Sequence, residues 1–482
     1  MTLDRRTLLT NSPALLAATA LPATARTATA GGLALPAIYS EIEERTFRWF
    51  WDTVNRKNGL VPDRWPTPSF SSIAAVGFGL AAYAFGAERG WCTRAQARDL
   101  TLTTLRFFWS APQGPQATGT TGYKGFYYHF LDMQTGQRFR NVELSSVDTT
   151  ILLMGMLFAG QYYDGQDVGE REIRRLADAL YARADWNHFR SDGRALISMG
   201  WHPESGLIAR SWDGFNEGLF IQVLALGAPV HKVPAAIWSQ STAPYPHFWR
   251  GRGPTRRLAF APLFGQQYSH IWIDFRGIRD APMRAAGLDY FENARRETYA
   301  NRAWCIANPM AWDGYSADVW GLTACDGPGD LSLPFKGRTA VFRGYSARGP
   351  ANEPDGMDDG TIAPTAALGS LPFAPEIVIP CANALLRQHG SRIFQRYGFV
   401  DSFNPSFRYT DLKVETGTVD PRHGWVAKDY LGIDQGPILL QAANHRDDFI
   451  WRYMRRVPAI RRGLTRAGFT GGWLTSGSGE RG

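Results

Sequence analysis

The residues best suited to chemistry lie in the run Trp212-Asp213-Gly214-Phe215-Asn216-Glu217-Gly218-Leu219-Phe220. Glu217, a long acidic arm, stands there among rings and glycines, at the mouth of a segment that is otherwise apolar (Phe220, Ile221, Val223, Leu224, Leu226). Glycines let a ligand approach the backbone closely, and rings give it a stacking surface. Apolar surroundings raise a carboxyl pKa towards the working pH, which is what a proton donor requires. The competing reading is an acid in the first turn of a helix, stabilised by the macrodipole. The segment alone does not choose between them.

Other acidic clusters could supply a partner. In Glu143-Leu144-Ser145-Ser146-Val147-Asp148, the Ser145 to Asp148 spacing is that of a capping box, which gives Asp148 a structural role; Glu143 lies just ahead of that helix and is free of this explanation. In the run 268–277, His270 and Asp274 fall four apart on one predicted helical face, near Tyr268 and with Arg276 at its end. A buried His–Asp hydrogen bond is expected first there and ligand contact second. Zinc would need a third ligand, and no H-E-x-x-H motif occurs. Asp355, Asp358 and Asp359 lack the rest of an EF-hand loop. Asp429, Tyr430, Asp434 and Gln435, set around Gly432 and Gly436, could line a polar cleft. Aromatics make up 13% of the chain, and many sit in loops beside glycine and charge, as Trp212, Trp312 and Trp320 do. Such rings suit a glycan cleft, although each Trp can equally be a buried loop anchor. No Walker loop, Rossmann fingerprint or nucleophile elbow occurs, and neither a metal nor a cofactor is expected. Paired carboxylates in an aromatic cleft point to hydrolysis by an acid and a base.

The elements that must position these groups read as helices. Residues 73–83 are small and apolar on all sides, as in a packed helical layer. Apolar periodicity predicts further helices near 147–163, 169–184, 216–227, 263–277, 289–307, 373–389, 434–447 and 448–463. Between them run long loops, at 110–142, 185–213, 308–360 and 401–433, with short strands expected at 125–133. Helices in this number, with aromatic-rich loops and no 34–47-residue repeat, predict an all-α chain folded as an (α/α)6 barrel rather than a solenoid.

Residues 1–30, with Arg5-Arg6, a modest apolar run and Ala28-Thr29-Ala30, read as a twin-arginine leader ahead of a catalytic domain at 36–478, so a periplasmic or secreted protein is expected. No stretch offers about 18 uninterrupted apolar residues, so no membrane insertion is expected after the leader is removed. The net charge is +8, but the basic runs are short and scattered, which reads as solvated surface rather than a nucleic-acid site. Cys92, Cys305, Cys325 and Cys381 lack metal spacing; Cys305 and Cys325 could bridge in an oxidising compartment, against a preferred reading as buried small hydrophobes.

The runs 46–52, Gly125-Phe126-Tyr127-Tyr128-His129-Phe130-Leu131-Asp132, 143–149, Gly214-Phe215-Asn216-Glu217-Gly218, 267–279, 324–328, 359–364 and 430–437 resemble bacterial glucoamylase-like domains, over about residues 38–475. Within these, the chain is most similar to glycoside hydrolase family 144, the endo-β-1,2-glucanases. The resemblance implies an (α/α)6 barrel, a metal-free inverting mechanism and β-1,2-glucan or its oligosaccharides as substrate. It places Glu217 on the family's candidate acid, and Asp148 and Glu143 on acidic positions of its cleft; Asp434 is a further base candidate. Tyr268, His270, Asp274, Arg276, Trp212, Trp320, Asp429 and Gln435 are expected to contact sugar. One departure is visible: where the family pattern reads Gly-His-Gln-Tyr-Ser-His, this chain has Gln266 in place of the first His. A binding protein without catalysis, or a transglycosylase on β-1,2-gluco-oligosaccharides, would share the same cleft.

Overall fold

The computed structural model describes residues 34–477 apart from 191–195 and 354–355. The leader reading at 1–30 and Asp355 therefore lie outside the described residues. The described chain is mostly helical, with fifteen α-helices: α1 (Ile38–Thr53), α2 (Ile73–Glu88), α3 (Arg94–Ser110), α4 (Ser146–Tyr162), α5 (Val168–Arg183), α6 (Leu219–Gly227), α7 (Ala236–Thr242), α8 (Phe264–Trp272), α9 (Ala281–Ala286), α10 (Tyr290–Ala307), α11 (Pro364–Leu368), α12 (Pro375–His389), α13 (Gly432–Asp447), α14 (Phe449–Met454) and α15 (Pro458–Arg466). The described strands reach at most five residues and pair antiparallel in sheets of two or three, all within the connecting loops. The sequence pattern anticipates the longer helices but not α7, α9 and α11, which are too short to show a period.

Packing explains the composition of the central helices. α2 touches α4, α4 touches α6, α6 touches α8, α8 touches α13, and α13 returns to α2, a closed circuit of neighbours. α2, α4 and α6 are apolar or small around nearly their whole circumference, α8 and α13 carry buried polar groups such as Gln267 and Gln441, and α2, α4 and α13 are buried along most of their length. Amphipathic helices lie against them: α1 on α2 and α13, α3 on α2, α5 on α4, and α15 on α6. One continuous core runs through this assembly. A second, smaller cluster of Trp312, Phe335, Phe342, Phe407 and Trp425 packs the loops 308–360 and 401–433 around the hairpin of Leu331–Phe335 and Arg338–Phe342.

The α2–α4 crossing is made at glycines. A Cβ on Gly155 would sit 2.2 Å from the Gly77 carbonyl oxygen, and one on Gly77 would sit 2.5 Å from that of Ile151. Backbone meets backbone there, so no side chain can yield. Gly155→Ala should therefore lower the unfolding free energy by about 1–3 kcal/mol, in the range of core overpacking and in spite of alanine's better helix propensity. A urea midpoint unchanged from wild type would show that the helices can separate at little cost.

Candidate active site

The central helices present their N-terminal ends to one cavity of about 460 Å³. Its lining includes Ser72 and Ala74 from the start of α2, Val147, Asp148 and Ile151 from α4, Glu217 just before α6, Phe264 and Tyr268 from α8, and Leu431 and Ile433 at the start of α13. Loops add Asp63, Arg64, Phe70, His129, Phe130, Ala324 and Tyr345.

Glu217 lies in the turn ahead of α6, not within the helix, and is partly exposed to the cavity. Its turn is fixed from several sides. The Ser269 hydroxyl donates to the Glu217 carbonyl (2.8 Å), the Gly218 amide donates to Asn216 Oδ1 (2.8 Å), and Gly214 takes φ +73° with the Phe248 ring where a Cβ would stand. Loss of solvent pushes the Glu217 carboxyl up to about 7, with the nearby Asp148 adding to the rise and Arg210 opposing it. A carboxyl so placed holds its proton at neutral pH and can give it away.

Asp148 is in the first turn of α4. Ser145 caps that helix, its Oγ accepting from the Asp148 amide (3.2 Å) while its hydroxyl donates to Asp148 Oδ2 (2.5 Å). The capping role expected from spacing therefore coexists with a place on the cavity wall. His129 stands between the acids: Nδ1 lies 2.8 Å from Glu143 Oε1 and Nε2 lies 3.5 Å from Asp148 Oδ2. Burial alone would lower the imidazole, but Asp148, Glu143 and Asp63 outweigh it and carry it to about 9. Burial raises the Asp148 carboxyl above its usual range and His129 pulls it back, whereas Glu143 is held below its usual value by the His129 hydrogen bond and charge in spite of its own burial. Among the described residues, these three form the one group with metal-ligand spacing. Both imidazole nitrogens already face carboxylates.

Arg64 is the second cation of the wall. Nη1 donates to Asp326 Oδ2 (2.8 Å) and Nε to Asp63 Oδ2 (3.2 Å), with Asp429 3.8 Å away. Pairing of residues 64–65 with 430–431 ties it to the start of α13. Tyr345 is 53% exposed on a loop that Arg348 holds from beneath. The Arg348 guanidinium is fully buried; it pairs with Asp359 in a bidentate fork (2.8 and 2.9 Å) and donates to the carbonyls of Cys325, Arg343, Gly344 and Ser346. All of its donors are engaged, and this fixes the loop's shape.

The remaining expected contacts fall differently. Of the eight residues expected to touch sugar, only Tyr268 lines the cavity. α8 ends at Trp272 and Ile273 is extended, so Asp274 leaves the predicted face; its carboxylate pairs with Arg276 and Arg455, not with His270. His270 is instead buried among Phe275, Phe291 and Phe373, where desolvation lowers it to about 4. Trp320 is fully buried, and the Gln435 amide donates to the Phe399 carbonyl (3.0 Å) inside the core. Trp212, buried beneath Gly218, donates through its indole N–H to Ser146 Oγ (2.8 Å) and so props the Glu217 turn against α4. Asp429 accepts from Thr67 N–H and O–H next to Arg64. Asp434 does not line the cavity: burial, then the facing Asp401, raises its carboxyl well above the usual range. Gln266, at the departure from the family pattern, is fully buried and accepts from Asn293, so that change lies away from the cavity. The four cysteines are free thiols, with Cys305, Cys325 and Cys381 buried and Cys92 partly so.

Sequence reasoning missed Asp63, Arg64, Phe70, Phe264 and Tyr345, and gave His129 and Phe130 no role. For His129, the usable signal was a histidine inside the aromatic run 125–132.

Comparison with known proteins gives this architecture a family. Residues 209–458, more than half of the chain, match the family model described as "Putative glucoamylase", and the chain belongs to that glucoamylase-like family. It is similar to a glucoamylase-family structure from Bacteroides uniformis (30% identity, 92% of this chain and 100% of that one, TM-score 0.77). It is also similar to the endo-β-1,2-glucanase from Chitinophaga pinensis solved with sophorotriose and glucose (26% identity, 92% and 100% covered, TM-score 0.76). Among curated proteins it is 25% identical over 455 residues to the exo β-1,2-glucooligosaccharide sophorohydrolase (non-reducing end) of Parabacteroides distasonis, covering 88% of this chain and 56% of that protein. The chain thus spans little more than half of that relative's length.

The raised Glu217 carboxyl has a thermodynamic consequence. Below its ordinary value of 4.5 the group is protonated folded or unfolded and costs nothing; between 4.5 and about 7 the unfolded chain ionises first, and above that range the folded state carries the full penalty. Glu217→Gln removes the penalty, so its gain in melting temperature over wild type should grow from pH 4 to pH 8. A gain that is flat across this range would mean that Glu217 titrates normally.

Proposed function

We propose that this chain is an inverting glycoside hydrolase acting on β-1,2-glucan or its oligosaccharides. This reading rests above all on two cavity acids in different environments: Glu217, which keeps its proton near neutrality, and Asp148, which faces a cation. The β-1,2-glucan activities named for two similar proteins support the linkage. Asp148 takes a proton from a water whose oxygen attacks the anomeric carbon; the glycosidic C–O bond breaks, and Glu217 protonates the departing oxygen, directly or through a sugar hydroxyl. Room for that water calls for carboxyls roughly 6.5–9.5 Å apart, a limit that relay through a hydroxyl relaxes. Asp148 ranks ahead of Glu143, which is locked to His129, and of Asp434, which is occupied with Asp401. The circuit of α2, α4, α6, α8 and α13, with further helices outside it, supports an (α/α)6 barrel spanning 36–478 as the catalytic unit.

Incubation with linear β-1,2-glucan should release shorter saccharides whose new reducing ends first appear as the α-anomer by NMR. Unchanged polymer with measurable binding would favour a binding protein, and early longer products a transglycosylase. Glu217→Gln should fold, still bind glucan and lose on the order of 10²–10⁴-fold in turnover. If it retains more than about a tenth of wild-type kcat, the acid lies elsewhere. Asp148→Asn, Glu143→Gln and Asp434→Asn, made singly, rank the base candidates.

We further infer that residues 1–30 direct export through the twin-arginine route. Replacing Arg5 and Arg6 together with Lys should leave the precursor in the cytoplasm. Normal periplasmic levels of that variant would refute the assignment.

A further inference from the structure

We propose that His129 is a positioning residue: seated as an imidazolium between Glu143 and Asp148, it keeps Asp148 a carboxylate while Glu217 remains protonated. The inference rests on the hydrolytic reading above and goes beyond it by assigning the cation on which the asymmetry of the two acids depends.

The geometry is specific. Glu143 Oε1 and Asp148 Oδ2 lie on the two ring nitrogens, at 2.8 and 3.5 Å, and one side-chain nitrogen or oxygen from each of the three residues falls within 4.8 Å of the others. The ring cannot easily turn away. It stacks on Phe130 (centroids 3.9 Å apart, 27° between planes), which in turn packs on Phe70. The backbone is fixed as well: the His129 amide donates to the Glu143 carbonyl (3.0 Å), and the His129 carbonyl accepts from the first amide of α2 (3.3 Å). Charged groups acting on the ring are Glu143, Asp148 and Asp63. Those on Asp148 are His129, Glu143 and Glu217, with the Ser145 hydroxyl as hydrogen-bond donor. Asp63 is already paired with Arg64. Without the cation, two carboxylates would face each other at close range in a desolvated pocket, and one would take up a proton. Arg210 acts on Glu217, whereas the cation set against Asp148 is His129.

The test is the pH dependence of kcat/KM on linear β-1,2-glucan, whose acid limb reports the base and whose alkaline limb reports the acid in the free enzyme. In His129→Gln the acid limb should move up by about one pH unit or more, as expected when a carboxylate loses a cationic partner and keeps an anionic one. Near the wild-type acid limb this gives roughly a tenfold loss of activity, while the alkaline limb stays in place. A merely structural role would lower the plateau and leave both limbs where they were, and that result would overturn the proposal. An independent measurement needs no turnover. In ¹⁵N-histidine-labelled wild-type protein, the resonances absent from His129→Gln should report a ring protonated at both nitrogens up to about pH 8, given a value near 9. A neutral ring at pH 7, or spectra and activity that respond to added Zn²⁺ and to chelator, would also overturn it. If wild type does not cleave β-1,2-glucan at all, the hydrolytic reading fails, and the NMR titration still decides whether the cation is there.

Discussion

The structure depends on the shared polarity of its central helices. α2, α4, α6, α8 and α13 all begin at the cavity, so their first turns and positive dipole ends surround one small volume. Such an environment favours anions, whereas the apolar walls of Phe70, Phe130, Ile151, Phe264 and Leu431 oppose them. Desolvation raises both Asp148 and Glu217, and a few ångströms of placement decide how strongly it is opposed. Asp148, inside the first turn of α4, receives the Ser145 hydroxyl and a histidine cation. Glu217 stands before its helix, and desolvation dominates it. The glycine contact between α2 and α4 belongs to the same constraint, since a wider crossing would move the α2 and α4 ends apart.

Burying charge is expensive, and a hydrophobic replacement is often as stable as an ion pair. The fully buried Arg348–Asp359 pair therefore has little value as a source of stability alone. Its value lies in specificity: the guanidinium collects carbonyls from both sides of the loop 343–346 and sets Tyr345 at the cavity mouth. Arg64 does the same for another part of the wall by gathering its neighbour Asp63 together with Asp326 and Asp429 from two distant loops. Polar interactions here choose a geometry that the helical core leaves open.

This division explains what the sequence made legible. The longer helices could be read because their pattern is local, and the Glu217 and Asp148 runs could be read because their neighbours in sequence supply caps, glycines and rings. His129, Arg64 and Tyr345 were not legible as site residues. The partners or supports that give them meaning include Asp326 and Asp429 for Arg64, far along the chain, and a loop fastened from Cys325 to Asp359 for Tyr345. The reverse error came from assuming that local spacing persists. His270 and Asp274 share a face only if α8 continues, and α8 stops at Trp272. The loop tryptophans erred for a different reason: Trp212 and Trp320 are buried in the main core, and Trp312 fills a second core that the long loops 308–360 and 401–433 have of their own.

The distribution of cations gives a direction to proton flow. A cation set against every acid would lower all of them alike and leave no donor; a cation against none would leave no acceptor. Here Arg64 is committed to Asp63, Asp326 and Asp429 and His129 to the pair at the start of α4, while Arg210 only partly offsets the rise in Glu217. The two catalytic candidates thus differ by their neighbours more than by their chemical type, so a change in the neighbours should exchange their states more readily than a change in the acids themselves. An Asp–Glu swap at either position would preserve the asymmetry in charge and lose the reach. Loss of the histidine cation would preserve the reach and lose the asymmetry.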